Sequence, residues 1–228
     1  MNPSVMATTL LGSTLLYASL SPAQANWTLE LAVTNNYLFN GVSQTDKKPA
    51  FQPGLVWEAG NGFYAGFWGS NVDFGEGTKV EFDGYLGYYH QFNHFGLDIG
   101  LSQYTYHGRG YSSDLNFREV HLILNRNPYE LSLWYSNDYF GFGGGHMVVK
   151  IARSFALSPG WTLQAGLDRS HSFDKDRYDW EGKSGFFHAE LVLSTDLAGF
   201  ILSAGLHTTT LKERWGDDAF VLSVSRSF

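Results

Sequence analysis

Apolar and polar residues alternate with a period of two along most of this chain, which predicts strands with one greasy face and one wet face. In residues 95–106, Phe95, Leu97, Ile99 and Leu101 point one way, while Gly96, Asp98, Gly100 and Ser102 point the other. Residues 129–139 set Leu131, Leu133 and Tyr135 against Glu130, Ser132, Trp134 and Ser136. Residues 161–172 set Leu163, Ala165 and Leu167 against Gln164, Gly166 and Asp168. From Asn26 onward twelve such segments of about ten residues follow one another, and a helical period is nowhere sustained. The last of them ends the chain, with Phe220, Leu222, Val224 and the terminal Phe228 on one face and Ser223, Ser225 and Ser227 on the other.

The connections carry as much information as the strands. Tight turns fall at Asn61 and Gly62, Asn93 and His94, Asn127 and Pro128, Ser158 to Gly160, and around Asp196 to Gly199, each with the residues a hairpin requires. Between them lie longer polar or glycine-rich loops, at residues 41–48, 75–79, 107–114, 141–145, 174–183 and 212–217. Short and long connections alternate throughout. The reading is therefore all-β: a twelve-stranded antiparallel up-and-down transmembrane β-barrel with short periplasmic turns, long extracellular loops and both termini periplasmic. A β-sandwich also has hairpins, but nothing in its architecture forces this alternation. Ten residues at about 3.3 Å each, tilted by roughly 40°, rise about 25 Å, the height of the apolar band of such barrels.

A two-residue turn at Asn61 and Gly62 would pair Gly60 with Phe63, Trp57 with Gly66 and Leu55 with Trp68. Phe51, Leu55, Trp57, Tyr64, Trp68 and Val72 would then share the lipid face, with Val56 and Phe67 as intruders on the other. Trp57, Tyr64, Trp68, Tyr129 and Trp161 are accordingly expected in an aromatic girdle at the membrane interface.

Composition sharpens the picture. Aromatic residues make up 17% of the chain and charged residues only 16%, against about 25% charged in typical soluble domains. The absence of cysteine excludes a disulfide scaffold and thiolate metal sites. A net charge of −7 with no basic run argues against nucleic acid as a partner. Residues 1–25 contain no charged side chain and end in Ser21, Pro22, Ala23, Gln24 and Ala25. They read as a cleavable secretory signal peptide, which leaves residues 26–228 for the barrel. No later stretch is apolar for long enough to cross a membrane as a helix.

Extending the parity to every strand lines the interior with Glu30, Glu58, Asp73, Glu81, Asp83, Asp98, Glu119, Glu130, Asp138, Asp168 and Glu190. Lys150 is the clear inward cation, joined by His121, His188 and His207. A lumen this acidic favours cations or neutral polar solutes over anions. Equally, it fits a hydrogen-bonded plug that only stabilises the barrel, and Arg109, Lys175, Arg177 or Lys183 folding in from the loops would neutralise it. Inward Tyr85, Tyr89, Tyr104, Tyr106 and Trp134 would narrow a twelve-stranded pore further. Arg153 falls on the lipid face among Met147, Val149, Ile151 and Phe155, so it must either snorkel to an interface or turn inward at a bulge. Arg118, Arg169 and Arg226 also face outward, near strand ends.

The run from Asn36 to Asp46, in which Tyr37, Leu38, Phe39 and Asn40 are followed by Gly41, Val42, Ser43 and Gln44, resembles the opening segment of the TorF family of porins. Residues 47–52, 62–75, 81–88 and 136–141 continue the likeness. The resemblance implies an outer-membrane porin but brings no substrate or site residues, and Asn40 stands where that family has Arg. The C-terminal strand likewise resembles the signal read by the barrel-assembly machinery, although Arg226 occupies the position two before the end where an aromatic or apolar residue is usual.

The first functional reading is passive diffusion of small polar or cationic solutes through a narrow acidic lumen, with outer-membrane lipid as the surrounding partner. The second is a closed structural or docking barrel acting through its loops, residues 141–145 and 174–183 among them. The third is a membrane-embedded hydrolase at Ser170, His171 and Ser172; adjacent strand residues point to opposite sides, so these three form no Ser-His pair among themselves. Neither His90 with His94 nor His188 with Glu190 is clustered enough to suggest a metal, and no cofactor is expected.

Overall fold

The computed structural model describes residues 25–75, 77–212 and 216–228; most of the signal-peptide segment lies outside these. The alternating segments fold into a closed antiparallel barrel. Its strands are β1 (Asn26–Thr34), β4 (Ala50–Glu58), β5 (Phe63–Asn71), β6 (Thr78–Gln91), β7 (Gly96–Gly108), β8 (Phe117–Arg126), β9 (Tyr129–Ser136), β10 (His146–Ser158), β11 (Trp161–Ser172), β12 (Gly185–Leu197), β13 (Phe200–Thr209) and β14 (Ala219–Ser227). A small separate hairpin, β2 (Leu38–Phe39) and β3 (Val42–Ser43), interrupts the link between β1 and β4. Each barrel strand pairs with its sequence neighbour, and β14 closes on β1. Phe228 and Leu29 exchange both backbone hydrogen bonds, at 2.9 and 3.2 Å, so the last residue is part of the ladder.

The polarity is inverted relative to a soluble fold. Phe67, Leu86, Ile151, Leu206 and Phe220 are each more than half exposed on the outer surface, while Gln52, Ser132, Gln164 and Ser170 are buried within. Leu97, Leu131 and Leu163 sit on that outer surface and do not meet in a core between layers. A continuous apolar belt of this extent is incompatible with water as its only surroundings. No described helix is long and apolar enough to cross a membrane.

Four of the short connections have two-residue loops, at residues 93–94, 127–128, 159–160 and 198–199. Ala198 and Gly199 both take positive φ, 55° and 82°, the type I′ geometry that suits the twist of a hairpin. The fifth differs from expectation. Ala59 pairs with Phe63 across a three-residue loop, with Gly62 N–H donating to Ala59 O at 3.1 Å and Gly62 at φ 100°. The third residue requires a left-handed position that only glycine takes readily. One added residue turns β5 over: Trp57 faces Ala65, Leu55 faces Phe67 and Gly54 faces Trp68. Tyr64 and Trp68 therefore point into the lumen and are not girdle residues, whereas Phe67 faces outward and Val56 is the inward apolar residue. Trp57 stays outside and pairs with the exposed Trp27; Tyr129 and Trp161 are exposed at the short-turn end of the barrel.

Arg153 also faces out. Its guanidinium lies 5.2 Å from the ring of Tyr129 and 4.6 Å from that of Phe155, level with the turn after β8. The cation rests on aromatic faces at the rim of the apolar band rather than at its middle. Arg226 does the same between Phe200 and Phe228, at 4.8 and 4.9 Å, and so fits the closing strand without breaking the outer face.

Placement along the band predicts stability. Ile151, which pairs with Leu131 and Leu167 in mid-wall, should tolerate charge poorly. Ile151→Arg is expected to lower unfolding free energy in lipid vesicles by about 2–4 kcal/mol, and Arg153→Leu to change it by less than about 1 kcal/mol, as read from denaturant titrations of refolded protein.

Candidate functional site

The inward faces of β10 to β13 bring a line of charged side chains to one level, because the ladder pairs Lys150 with Asp168, Asp168 with His188, and Glu190 with His207. Lys150 Nζ donates to Glu190 Oε1 at 2.5 Å. His188 Nδ1 meets Asp168 Oδ2 at 2.6 Å, and His188 Nε2 lies 3.1 Å from His207 Nδ1. The two imidazole rings are parallel within 2°, 5.4 Å apart, and His207 Nδ1 is 3.8 Å from Glu190 Oε2. A continuous polar chain thus runs Asp168, His188, His207, Glu190, Lys150. Glycines on the same inward face make room for it: a Cβ at Gly166 would lie 2.8 Å from Glu190, and one at Gly205 would lie 2.6 Å from His207.

A second group faces it across the lumen. Tyr106 donates to Glu81 at 2.9 Å and Tyr104 to Glu119 at 3.1 Å, while Asp83 is buried beside them. Among the described residues, Glu81 Oε2 and Asp83 Oδ1 have no hydrogen-bond partner. Nearer the short turns, Tyr64 donates to Asp98 at 2.8 Å, with His121 3.5 Å from the same carboxylate. Glu130 accepts from Ser132 at 3.0 Å, and Glu58 is partly exposed at that end. Among the described residues Lys150 is the one buried Lys or Arg.

Two expected lumen carboxylates lie elsewhere. Asp73 sits in the loop after β5, bound to Lys48 at 2.8 Å and Lys79 at 3.0 Å. Asp138 accepts from the backbone of Gly143 at 2.6 Å in the loop after β9. The loop cations do not neutralise the lumen: Arg109, Lys175 and Lys183 remain exposed, and Arg177 lies 3.7 Å from Asp174 at the surface.

What the sequence reading missed is the roof. Residues 41–48, expected as a long polar loop, instead contribute with Leu38 and Phe39 to the β2–β3 hairpin, which folds into the barrel. Asn40 and Gly41 form its turn at φ 49° and 80°, so the position where the TorF pattern has Arg is here a left-handed turn residue, which Asn tolerates. An Asn-Gly pair is a strong hairpin signal and was the available clue. Tyr37 packs edge-on against Trp68 and Phe39 against Tyr104, with ring centroids 5.4 and 6.0 Å apart. The tip lies on the polar chain, since a Cβ at Gly41 would come 2.5 Å from His188. In the same buried cluster, Tyr139, Phe140, Tyr178 and Trp180 from two further loops complete an aromatic cap. Below it remains a cavity of about 50 Å³ reached by Lys150, Asp168, His188, Glu190 and His207, room for a few waters.

Two smaller expectations are also decided by the geometry. Ser170 and Ser172 face the lumen while His171 stands outside beside Phe173, at 5.1 Å, so the three form no catalytic pair. The pair His188 and Glu190 gains a third member that spacing along one strand did not reveal: His207, opposite Glu190 on β13, brings three potential ligand atoms within 4.8 Å of one another.

A family model described as a bacterial protein of unknown function, Gcw_chp, matches residues 19–228. The chain belongs to the Gcw_chp family. The search of curated proteins found no match. Among solved structures, the KdgM porin superposes with a TM-score of 0.57 at 13% identity, over 88% of this chain and 99% of that one. KdgM porin in complex with disordered oligogalacturonate gives 0.59 at 12% identity, again over 88% and 99%. The NanC porin gives 0.55 at 10% identity, over 88% and 98%. Identities this low establish a shared fold, that of outer-membrane porins.

The buried ion pair predicts a strongly asymmetric mutational response. Lys150→Met should cost about 3–5 kcal/mol by leaving Glu190 uncompensated, whereas Lys150→Met with Glu190→Leu should recover most of it, measured as a double-mutant cycle in detergent or lipid. The loop carboxylate predicts a pH response. Hydrogen bonds from Lys48 and Lys79 hold the Asp73 carboxyl well below the usual carboxylate range, and Asp73 in turn raises Lys48. A depressed folded pKa contributes stability that is present above the unfolded value and is lost as pH falls through the folded one. The clamp on the hairpin's outer end should therefore persist at pH 4 and release only in stronger acid. An NMR titration placing Asp73 at or above the ordinary value would overturn this.

Proposed function

We propose that this protein is an outer-membrane channel through which small polar or cationic solutes pass in a narrow acidic lumen, both termini lying in the periplasm. Export by a cleaved signal peptide and recognition of the Phe228 strand by the barrel-assembly machinery belong to the same reading. The carrying observation is the charge of the interior: Glu81, Asp83, Asp98, Glu119, Asp168 and Glu190 are buried there, against Lys150 as the one buried Lys or Arg among the described residues. Such a lumen attracts cations and repels anions. The polyanion bound by the KdgM porin, oligogalacturonate, is for that reason not the solute we assign to this chain.

A second reading, a closed barrel that presents its loops, is favoured by one observation: the hairpin and the aromatic cap occupy the long-loop end. Planar bilayers separate the two. Purified protein should give small steps with a reversal potential on the cation side, and Glu81→Gln with Asp83→Asn should reduce that preference. Replacing residues 36–46 with a glycine-serine linker should enlarge the steps several-fold. If neither the protein nor the linker variant conducts, the closed barrel is the correct reading.

A further inference from the structure

We propose that His188, Glu190 and His207 form a binding site for a divalent transition-metal ion in the lumen, with zinc the best-suited probe. The site does not depend on ions crossing the barrel, so it stands apart from the channel reading.

The donor atoms are His188 Nε2, His207 Nδ1 and Glu190 Oε2. Tetrahedral zinc with bonds of about 2.0–2.1 Å places its ligands about 3.4 Å apart. The observed separations of 3.1 Å between the two ring nitrogens and 3.8 Å from His207 to Glu190 bracket that spacing. All three donor atoms lie within 4.8 Å of one another, so small side-chain rotations would complete the contraction. Position in the ladder explains the convergence. Glu190 and His207 are direct cross-strand partners, and His188 is two residues along on the same face.

The surroundings are those of a metal site. Asp168 accepts from His188 Nδ1 at 2.6 Å, which turns the Nε2 lone pair toward His207 Nδ1, the nitrogen it meets at 3.1 Å, the carboxylate–histidine arrangement that orients metal ligands. Its other oxygen, Asp168 Oδ1, is buried without a hydrogen-bond partner among the described residues. Lys150 occupies Glu190 Oε1 and leaves Oε2 for the metal, which favours monodentate ligation. With three protein ligands the fourth position opens on the adjoining cavity, as in sites that keep an exchangeable water. A ligand set of two imidazoles and a carboxylate, without thiolate, suits zinc, nickel or iron(II) rather than calcium or magnesium.

Lys150 opposes the ion electrostatically and places the affinity below that of a structural zinc site, which fits a site that binds and releases.

The test is zinc titration of the refolded, untagged barrel in detergent by calorimetry, together with zinc X-ray absorption on the same protein. One zinc per barrel is expected, with a shell of nitrogen and oxygen that includes two imidazoles. His207→Ala and His188→Ala should each weaken binding by at least about 100-fold, and Asp168→Asn by about 10–100-fold. Should a lumen variant fail to refold, the absorption spectrum of the unmodified protein still decides, because zinc held by the exposed His90, His94 or His107 would not show this paired-histidine shell. No binding, a shell with fewer than two imidazoles, or full binding retained in His207→Ala would each overturn the proposal.

Discussion

Everything in this molecule depends on a sheet that closes on itself in an apolar surrounding. A lipid-facing wall offers no water to an unpaired N–H or C=O, so every strand needs two neighbours and the first must meet the last. The exchange of hydrogen bonds between Leu29 and Phe228 meets that demand. Closure then settles the chemistry of both surfaces. Alternate residues must be apolar outside, which leaves the others free to be polar inside, and this chain uses that freedom to gather carboxylates, imidazoles and one lysine in the interior.

Burial inside a wet lumen differs from burial in a core. The Lys150 to Glu190 pair and the Asp168 to His188 contact are each satisfied by geometry that the ladder imposes on neighbouring strands. Inward glycines supply the depth: Gly166 and Gly205 admit Glu190 and His207, much as Gly100 admits His121 and Gly96 admits Tyr89. Large polar groups fold flat against the wall because the adjacent inward position carries no side chain. The abundance of glycine in the sequence is thus tied to the abundance of inward-facing rings and acids.

Period and connection length made most of the architecture legible in the sequence: strand count, pairing order and the parity of the lumen carboxylates on β6 to β13. Parity failed on β5, where one extra residue in the turn at Gly60, Asn61 and Gly62 reversed Tyr64 and Trp68. An alternating pattern with glycines and aromatics on both faces gives little energetic preference between the two registers, so the turn decided. The site was legible one residue at a time but not as a cluster. His207 lies far along the chain from His188, and only strand pairing shows that they touch. The hairpin roof was hidden for a different reason: residues 41–48 read as a loop by their polarity, and nothing local shows that the preceding Tyr37, Leu38 and Phe39 bury themselves among side chains that other strands supply.

The hairpin's route has a consequence of its own. It is suspended between β1 and β4, which are neighbours in the wall, so both its ends emerge at the same point of the rim. Swinging it outward would break its contacts with Trp68, Tyr104 and His188 and its own anchoring bonds, yet would leave all twelve wall strands paired. Access to the interior and integrity of the wall are therefore set by different residues, and substitutions could retune the first while leaving the second intact.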